Sequence, residues 1–508
     1  MAADRMNTLF LMSDEHNPWV MGFLGHPCVR TPNLDRLAAR GTTFTRAWAA
    51  SPLCVPSRAS IATGRYVHQH QCWDNAIAYP GNPRSWMHAL SRAGHVVDAI
   101  GKLHFRSAGD PVGFRQQIET VHIQDGIGQV WGSVRDPLPS TSSRSGMFDK
   151  LGAGESAYNR YDRFVRDAAC HWLESHAGGD APWTLFVGLV APHFPLVVPP
   201  SFLERVLNDP GLEACLPVDP PPRHHPWVAR MLSYMDHDAA LGTAERRRLA
   251  VAAYLALVEF MDGLVGDILA ALEKSGMADT TRVIYTSDHG DNLGARRLWN
   301  KGTMYRESAG VPLILAGPGI PAGNICTTNV SLVDLHPTLL AAQGLRCVDP
   351  GLPGRSLLDI ACEADDPTRI AFSEYHGVGS PTGAYLVANG RYVYHHYVGY
   401  PPELFDAVND PLEQHDLSAD PAHADGLAEM VAALNDIVDP GMADAAAKRD
   451  QRRLVAAHGG PEQALRSGHR GATGVPGGAA SGKLPDALRP AALSSPTSVP
   501  SVLSEPTP

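Results

Sequence analysis

Three clusters of polar residues each follow a short apolar run in this sequence. The clusters are Ser13-Asp14-Glu15-His16, Gly101-Lys102-Leu103-His104 and Ser287-Asp288-His289-Gly290-Asp291. The apolar runs predict buried strands, and parallel sheets bind ligands at the carboxyl ends of their strands. Asp14 and Asp288 offer the oxygen ligands that a hard divalent cation prefers, and His289 adds a nitrogen ligand. The alternative is that these aspartates only cap strand-end turns.

Cys54 is a candidate reactive group, in the segment Leu53-Cys54-Val55-Pro56-Ser57-Arg58. Proline favours the first turn of a helix, so we expect Cys54 at a helix N-terminus. The backbone N–H groups there and the Arg58 cation one turn away predict a lowered pKa for the thiol. The alternative is a cysteine that serves only as a small buried apolar residue.

The elements that position these residues follow from the alternation of apolar runs and helical patterns. Strands are predicted over 7–12, 95–100, 183–190, 282–287 and 311–316, and helices between Thr31 and Gly41 and over 84–92, 158–176 and 244–274. Strands that alternate with helices predict an α/β fold, with a large, mostly parallel sheet sandwiched by helices.

The C-terminal part of the chain has a different pattern. Short strands over 371–375, 384–388 and 391–396, followed by an acidic helix around 427–437, predict a small α+β subdomain. We therefore divide the chain into a large domain over 1–365, a subdomain over 366–455 and an extension over 456–508. The extension is rich in Pro and Ser and has no aromatic residue from 478 onward, which predicts disorder there.

The overall composition excludes several classes of protein. The 508 residues include 42 Lys+Arg and 53 Asp+Glu, so the formal net charge is 42 − 53 = −11, which disfavours binding to nucleic acid or an anionic membrane. No apolar run is long enough for a transmembrane helix, and the N-terminal run resembles a first strand rather than a signal peptide. Eight cysteines without a Cys-x-x-Cys pair argue against a disulfide framework, so we expect a cytoplasmic protein.

Residues 54–65 resemble the signature of the formylglycine-dependent (type I) sulfatases. The match is Cys54-x-Pro-Ser-Arg58 followed by Thr-Gly-Arg65, and Thr31-Pro-Asn-Leu-Asp-Arg-Leu37 resembles the segment that precedes it in that family. The resemblance covers about residues 6–417 and implies an alkaline-phosphatase-like fold. It is strongest to the choline sulfatase and arylsulfatase K branch, through Trp73-Asp74-Asn75, Gly101-Lys102-Leu103-His104, Lys301-Gly302-Thr303-Met304-Tyr305, Ser373-Glu374-Tyr375-His376-Gly377 and the segment from Pro402 to Glu413.

The resemblance implies roles for the residues at the strand ends. In this family the cysteine, here Cys54, is oxidised to formylglycine (3-oxoalanine) by a maturation enzyme. The implied metal ligands are Asp14, Glu15, residue 54, Asp288 and His289. Ca²⁺ is the expected ion; Glu15 and His289 differ from the residues common in relatives, and the nitrogen of His289 makes Mn²⁺ or Mg²⁺ an alternative.

The remaining implied roles concern the substrate. Arg58 adds a fixed cation beside the nucleophile, and Lys102 and Lys301 hold the sulfate oxygens. His104 takes the proton whose loss expels sulfate from the hydrated aldehyde, and His193 is the proton donor to the leaving alcohol. Lys102 and His104 are two residues apart, which places both on one face of an extended segment. Asn75 and Glu374 are the predicted substrate-binding residues.

The predicted function is hydrolysis of a small organic sulfate monoester, with a formylglycine-generating maturation enzyme as partner. A phosphonate monoester or phosphodiester hydrolase with the same site is the nearest alternative. An inactive, anion-binding member of the fold is a second alternative, and a cofactor-free phosphatase or phosphomutase, with Ser or Thr as nucleophile, is a third. We also expect a homo-oligomer in which the C-terminal extension packs on a neighbouring subunit.

Overall fold

The architecture is described from a computed structural model of the chain. The structure describes residues 6–140, 146–179, 181–220, 223–347, 349–467 and 473–476. The disorder predicted from residue 478 onward lies outside the described residues.

The described part of the chain contains sixteen strands, and the sheets built from them determine where the polar clusters lie. The strands are β1 (Asn7–Asp14), β2 (Gly41–Phe44), β3 (Ala47–Trp48), β4 (Val96–Lys102), β5 (Gln116–Val121), β6 (Gly152–Ala153), β7 (Trp183–Pro192), β8 (Val197–Val198), β9 (Thr281–Ser287), β10 (Leu313–Ala316), β11 (Asn324–Cys326), β12 (Val330–Ser331), β13 (Ala371–Tyr375), β14 (Ala384–Ala388), β15 (Tyr392–Tyr397) and β16 (Glu403–Asp406).

Fifteen α-helices in the described residues surround these strands. They are α1 (Pro32–Ala39), α2 (Cys54–Thr63), α3 (Val67–His70), α4 (Trp86–Arg92), α5 (Ala157–Ser175), α6 (Pro200–Leu207), α7 (Pro226–Tyr234), α8 (His237–Leu241), α9 (Ala244–Lys274), α10 (Arg306–Ala309), α11 (Leu335–Ala342), α12 (Leu357–Ile360), α13 (Ala424–Ile437), α14 (Pro440–Ala457) and α15 (Gly460–Ser467).

The main sheet has eight strands in the order β11-β2-β10-β9-β1-β7-β4-β5. Only β10 runs antiparallel to its neighbours β9 and β2, and the other pairs within this sheet are parallel. The carboxyl ends of β1, β4, β7 and β9 therefore meet at one edge of the sheet. This arrangement confirms the predicted α/β fold with a mixed, mostly parallel sheet.

Helices cover both faces of this sheet because the strands are apolar on both sides. In β1, Leu9 and Leu11 belong to the core cluster that contains α5 and α9, whereas Phe10 and Met12 belong to the cluster that contains α2 and α11. Successive residues of a strand point to opposite faces, so one continuous apolar run can supply two cores. The long helix α9 has the bounds that its sequence pattern predicted.

A second, four-stranded antiparallel sheet of order β13-β14-β15-β16 follows the main sheet in the chain. One of its faces packs on α13, and the other packs on residues of the large domain such as Trp48 and Tyr305. The predicted α+β character of this region is thus confirmed, while the domain boundaries at residues 365 and 455 stay predictions. No helix in the described parts of the chain is both long and apolar enough to cross a membrane.

Candidate active site

The polar clusters meet on the floor of one cavity at the carboxyl edge of the main sheet. Asp14 ends β1, Lys102 ends β4, His193 follows β7 and Asp288 follows β9. The cavity has a volume of about 580 Å³, and Cys54, Lys102, His104, His193 and Lys301 are among the residues that line it. Asp14, Glu15, Asp288 and His289 lie beneath them, fully buried.

Helix α2 brings Cys54 and Arg58 into this edge of the sheet. All ten residues of α2 are buried. Arg58 is 1% exposed, and its guanidinium donates to Asp288 Oδ2 at 2.7 Å, to Asp14 Oδ2 at 3.0 Å and to the Lys102 carbonyl oxygen at 2.6 Å. Ser57 also donates to the carbonyl oxygen of Asp288, at 2.6 Å. These bonds connect the start of α2 to the ends of β1, β4 and β9, so Cys54 and the carboxylates hold fixed relative positions.

Cys54 is the first residue of α2, as the sequence predicted, but the electrostatic consequence differs from the prediction. Its Sγ lies 3.2 Å from His289 Nε2 and 3.8 Å from Asp14 Oδ1. Burial and the Asp14 carboxylate raise the pKa of the thiol to about 12, although Lys301 and Lys102 act in the opposite direction. The predicted lowering of the thiol pKa is therefore wrong, because desolvation and a neighbouring anion outweigh the helix terminus.

Two overlapping groups of side chains fit a divalent cation. Asp14, Cys54, Asp288 and His289 each offer one ligand atom, as do Asp14, Glu15 and His193, and the atoms of each group lie within 4.8 Å of one another. Nδ1 of His289 lies 2.9 Å from the Gly290 carbonyl oxygen, which leaves Nε2 turned toward Cys54. Carboxylate oxygens and one imidazole nitrogen suit Ca²⁺ or Mn²⁺.

Glu15 gives a second observation in favour of a cation. Its Oε1 is buried and has no hydrogen-bond partner among the described residues. Burial raises the pKa of Glu15 to about 8, and the neighbouring carboxylates of Asp291 and Asp14 add to the shift while Lys301 opposes it. Asp291 was in the predicted polar cluster but not among the predicted ligands. A divalent ion would supply a partner for the free Glu15 oxygen and would stabilise the charged form of this carboxyl.

The two predicted lysine clamps both reach the cavity floor. Lys102 Nζ lies 2.6 Å from Asp14 Oδ2, and Lys301 Nζ lies 2.8 Å from Glu15 Oε2. Burial opposes ionisation of Asp14, but Lys102, His193, Arg58 and Lys301 outweigh it and hold the pKa of that carboxyl well below its ordinary value. Both lysine side chains are nearly completely buried, and both line the cavity together with Cys54.

His104 and His193 also reach the cavity, although the local geometry at His104 differs from the prediction. Gly101 has φ 91° and His104 has φ 59°, so this segment is not extended and the argument from a shared strand face is wrong. His193 Nε2 lies 3.5 Å from Glu15 Oε2, while its Nδ1 lies 2.7 Å from the Phe194 carbonyl oxygen. Burial, with Lys301 and Lys102 nearby, lowers the pKa of His193 well below its ordinary value.

The two predicted substrate-binding residues have different positions. Asn75 lines the cavity, and its Oδ1 accepts a hydrogen bond from the backbone N–H of Val55 at 3.2 Å. Glu374 does not line the cavity. Its buried carboxylate lies 2.9 Å from His68 Nδ1 and 3.1 Å from His376 Nε2, and these histidines lower its pKa to about 2 against the effect of burial. Both carboxylate oxygens contact histidines inside the protein, so the position of Glu374 gives no support to its predicted substrate-binding role.

A segment that the sequence analysis did not connect with the site, Thr473–Pro476, closes part of the cavity. Thr473 Oγ1 lies 2.9 Å from His104 Nε2, and the hydroxyl of Tyr158 donates to the Thr473 carbonyl oxygen at 2.5 Å. Val475 packs against the apolar cluster that also contains α5 and α9. The signal for this contact is weak in the sequence, because a Gly- and Ala-rich stretch surrounds Thr473.

Two family models match the chain. The model described as "Sulfatase" matches residues 6–345, and the model described as "N-sulphoglucosamine sulphohydrolase, C-terminal" matches residues 294–439. The first of these covers more than half of the chain, including the floor of the cavity.

Individual proteins also resemble the chain over most of its length. Arylsulfatase K of Danio rerio is 28% identical over 445 residues, which are 82% of this chain and 81% of that protein. The choline-sulfatase of Rhizobium meliloti (strain 1021) is 29% identical over 439 residues, or 83% and 84% of the two chains. The crystal structure of the phosphonate monoester hydrolase of Agrobacterium radiobacter matches with a TM-score of 0.67 at 24% identity and covers 85% of this chain and 95% of that one, which shows a shared fold.

Proposed function

Because this chain belongs to the sulfatase family of sulfuric ester hydrolases, we propose that it cleaves a small organic sulfate monoester at residue 54, after oxidation of Cys54 to formylglycine. The observation that supports this most directly is the position of Cys54 Sγ, 3.2 Å from His289 Nε2 and 3.8 Å from Asp14 Oδ1, on a cavity floor that also presents Lys102 and Lys301. The arrangement combines a nucleophile, a cation site and anion-binding groups in one place.

The proposed metal site consists of Asp14, Asp288 and His289 with residue 54, and Glu15 as a further ligand. A bound divalent ion would offset negative charge on the nucleophile and on the transferred group. We propose Ca²⁺, since most of the donors are carboxylate oxygens, with Mn²⁺ or Mg²⁺ as alternatives that the His289 nitrogen favours. Arg58 holds Asp14 and Asp288 in place through the two ion pairs described above.

The proposed cofactor residue, formylglycine, would supply a hydrated aldehyde whose hydroxyls serve as nucleophile and as the route for releasing sulfate. Its formation implies a maturation enzyme that recognises the Cys54-x-Pro56-x-Arg58 core. All eight cysteines of the chain are unpaired, which supports a location in a reducing compartment such as the cytoplasm.

The remaining residues have roles that their positions support. Lys102 and Lys301 bind the sulfate oxygens and draw negative charge toward the floor of the cavity. His193 is the proton donor to the leaving alcohol oxygen, and its contact with the Phe194 carbonyl oxygen orients the ring. This role requires the negative charge of the bound sulfate to raise the pKa that burial and the two lysines lower. His104 accepts the proton from the hydroxyl of residue 54, held by the Thr473 hydroxyl.

A phosphonate monoester or phosphodiester hydrolase is the second candidate function. The solved structure of such a hydrolase shares this fold, and a tetrahedral phosphonate presents oxygens to the same two lysines. The site floor alone does not separate the two substrates, so the assay must contain both.

The test is to produce the chain with a maturation enzyme and measure both the mass of the peptide containing residue 54 and the turnover of an aryl sulfate and an aryl phosphonate. We expect the mass loss that corresponds to conversion of CH₂–SH into CHO, and sulfate turnover that Cys54→Ala abolishes. Cys362→Ala is the matched control, because Cys362 is exposed and does not line the cavity. Faster phosphonate turnover would favour the second candidate, and an unconverted thiol in fully active protein would refute the formylglycine mechanism.

A further inference from the structure

The wall of the cavity above the two lysines is largely apolar. Six half-buried side chains face the cavity, namely Met147, Phe194, Met231, Leu232, Met235 and Val378. More deeply buried side chains, including Trp299 and Leu298, also line the cavity. Apolar side chains that share one concave, water-accessible surface are typical of a binding site for an apolar group.

Three of these residues come from one short segment. Met231 and Leu232 lie on α7, and Met235 follows its last residue. Met147, on the segment before β6, adds a third methionine to the wall. Methionine side chains are unbranched and polarisable, so a wall rich in them adapts to apolar groups of different shapes.

Two charged side chains of the wall, Asp238 and Arg297, are paired within the protein. Arg247 donates to both oxygens of Asp238 at 2.8 Å, and the Trp299 indole donates to the same carboxylate at 2.9 Å. Arg297 donates to Asp219 Oδ1 at 2.9 Å. At the rim, the exposed residues Asp149 and Lys150 are adjacent and opposite in charge. The Asp238 carboxylate is therefore already paired, which disfavours a cationic ligand at this part of the wall.

From this wall, and on the basis of the proposed function, we propose that the alcohol part of the substrate is apolar: an aryl group or a branched or long alkyl chain. Its sulfate lies between Lys102 and Lys301, and its carbon skeleton lies against the methionine-rich wall. One polar group is accommodated, because Asn300 Oδ1 is buried and has no hydrogen-bond partner among the described residues. We expect an apolar alcohol to be preferred over a quaternary ammonium or a sugar.

The sharpest test compares choline-O-sulfate with 3,3-dimethylbutyl sulfate, its uncharged isostere, in which carbon replaces the quaternary nitrogen. Each ester is tested as an inhibitor of the hydrolysis of the same aryl sulfate. The two inhibition constants then compare binding of the esters and do not depend on how reactive their leaving groups are. We expect the neutral ester to bind at least about tenfold more tightly, because the Asp238 carboxylate is already paired and does not offset the cost of burying a cation. A series of primary n-alkyl sulfates should gain about three- to fourfold in kcat/KM per added methylene until the cavity is filled.

A pair of variants connects the preference to this wall. Met231→Glu places a carboxylate beside the bound alcohol, so we expect it to shift the preference toward choline-O-sulfate by about fivefold. Met442→Glu is the matched control, because Met442 is 73% exposed and does not line the cavity. The control variant should keep the preference of the unaltered protein.

Equal or tighter binding of choline-O-sulfate, or faster turnover of a monosaccharide sulfate than of every alkyl and aryl sulfate, would overturn the inference. Calorimetric binding of the two isosteric esters to Cys54→Ala protein gives the same comparison without turnover. If no sulfate ester is hydrolysed but the neutral ester still binds more tightly, the proposed function fails while the inference about the wall stands. If sulfate esters are hydrolysed without preference for apolar alcohols, the inference alone fails.

Discussion

The contact between Thr473 and His104 gives a prediction whose size follows from the structure. Thr473→Val keeps the shape of the side chain and removes only the hydroxyl that lies 2.9 Å from His104 Nε2. The backbone of the segment keeps its other attachments, through the Tyr158 hydroxyl and the packing of Val475. The substitution therefore perturbs His104 while leaving the segment itself in place.

The expected effect is a loss of orientation at His104. This imidazole is 5% exposed, and its Nδ1 has no hydrogen-bond partner among the described residues, so the Thr473 hydroxyl is its main polar contact there. A single neutral hydrogen bond contributes about 1 kcal/mol, which corresponds to about a fivefold fall in kcat if His104 moves the proton in the slow step. The melting temperature should fall by no more than about 2 °C, because 1 kcal/mol is small for a domain of this size.

The assay is steady-state hydrolysis of an aryl sulfate by protein whose metal and formylglycine contents have been matched between variants. Thr473→Ser is the informative control, since it keeps the hydroxyl and should restore most of the activity. Equal activity of Thr473→Val and the unaltered protein would refute a positioning role for Thr473. Equal loss in the Val and Ser variants would show that the methyl group, and therefore packing, is what matters.

Three further predictions concern the floor of the cavity and its surroundings. Lys301→Gln should lower kcat/KM for sulfate esters by about 100-fold, because a buried anion-binding cation is lost. Lys274→Gln is the control and should have no effect, since the Lys274 side chain is 77% exposed. Similar losses in both variants would contradict the proposed role of Lys301 in binding sulfate. Glu374→Gln should lower the free energy of unfolding by about 3 kcal/mol at pH 7, since His68 and His376 lower the pKa of Glu374 to about 2. That stabilisation is present above pH 4.5 and is lost as the pH falls toward 2. The free energies of urea unfolding of the unaltered protein and of Glu374→Gln should therefore converge in acid. A constant difference between them down to pH 3 would refute this prediction. Removal of divalent cations with a chelator should lower the melting temperature and abolish turnover. Ca²⁺ added at about 100 times its Kd should restore about 2.7 kcal/mol of stability. A melting temperature that neither the chelator nor Ca²⁺ changes would argue against the metal site.

Much of the fold was predictable because its elements have strong local signals. Helix α9 was predicted with its observed bounds, since its apolar spacing is continuous and it begins at a threonine cap that accepts a hydrogen bond from Arg246. The strands that lead to Asp14, Lys102 and Asp288 were predicted because they are short, apolar and separated by helical patterns. Because these strands are parallel neighbours in one sheet, their carboxyl ends lie at the same edge, and no other feature of the sequence is needed to predict this.

The sequence was least informative about the site where a property depends on neighbours distant in sequence. The pKa of Cys54 depends on how deeply it is buried and on Asp14, neither of which the local segment reveals. Glu374 lies on β13 near the cavity, but only the three-dimensional structure shows that its carboxylate meets His68 and His376 instead. Thr473 meets His104 across 369 residues of sequence, and nothing in its composition marks that contact.

Because Cys54 is buried in the folded protein, it is accessible to another enzyme only for a limited time during synthesis. In the folded chain Cys54 is 1% exposed, and its surroundings require β9, which is made about 230 residues later. At about 5–20 residues per second, the cysteine leaves the ribosome roughly 10–50 s before the strand that encloses it. A maturation enzyme that needs an accessible peptide must act in that interval. Thr473, which closes part of the cavity, is synthesised about 420 residues after Cys54. If Cys54 is converted as proposed, translation speed and maturation-enzyme concentration together set the fraction of active molecules. Faster synthesis at a fixed enzyme level should then yield more protein with an unconverted thiol.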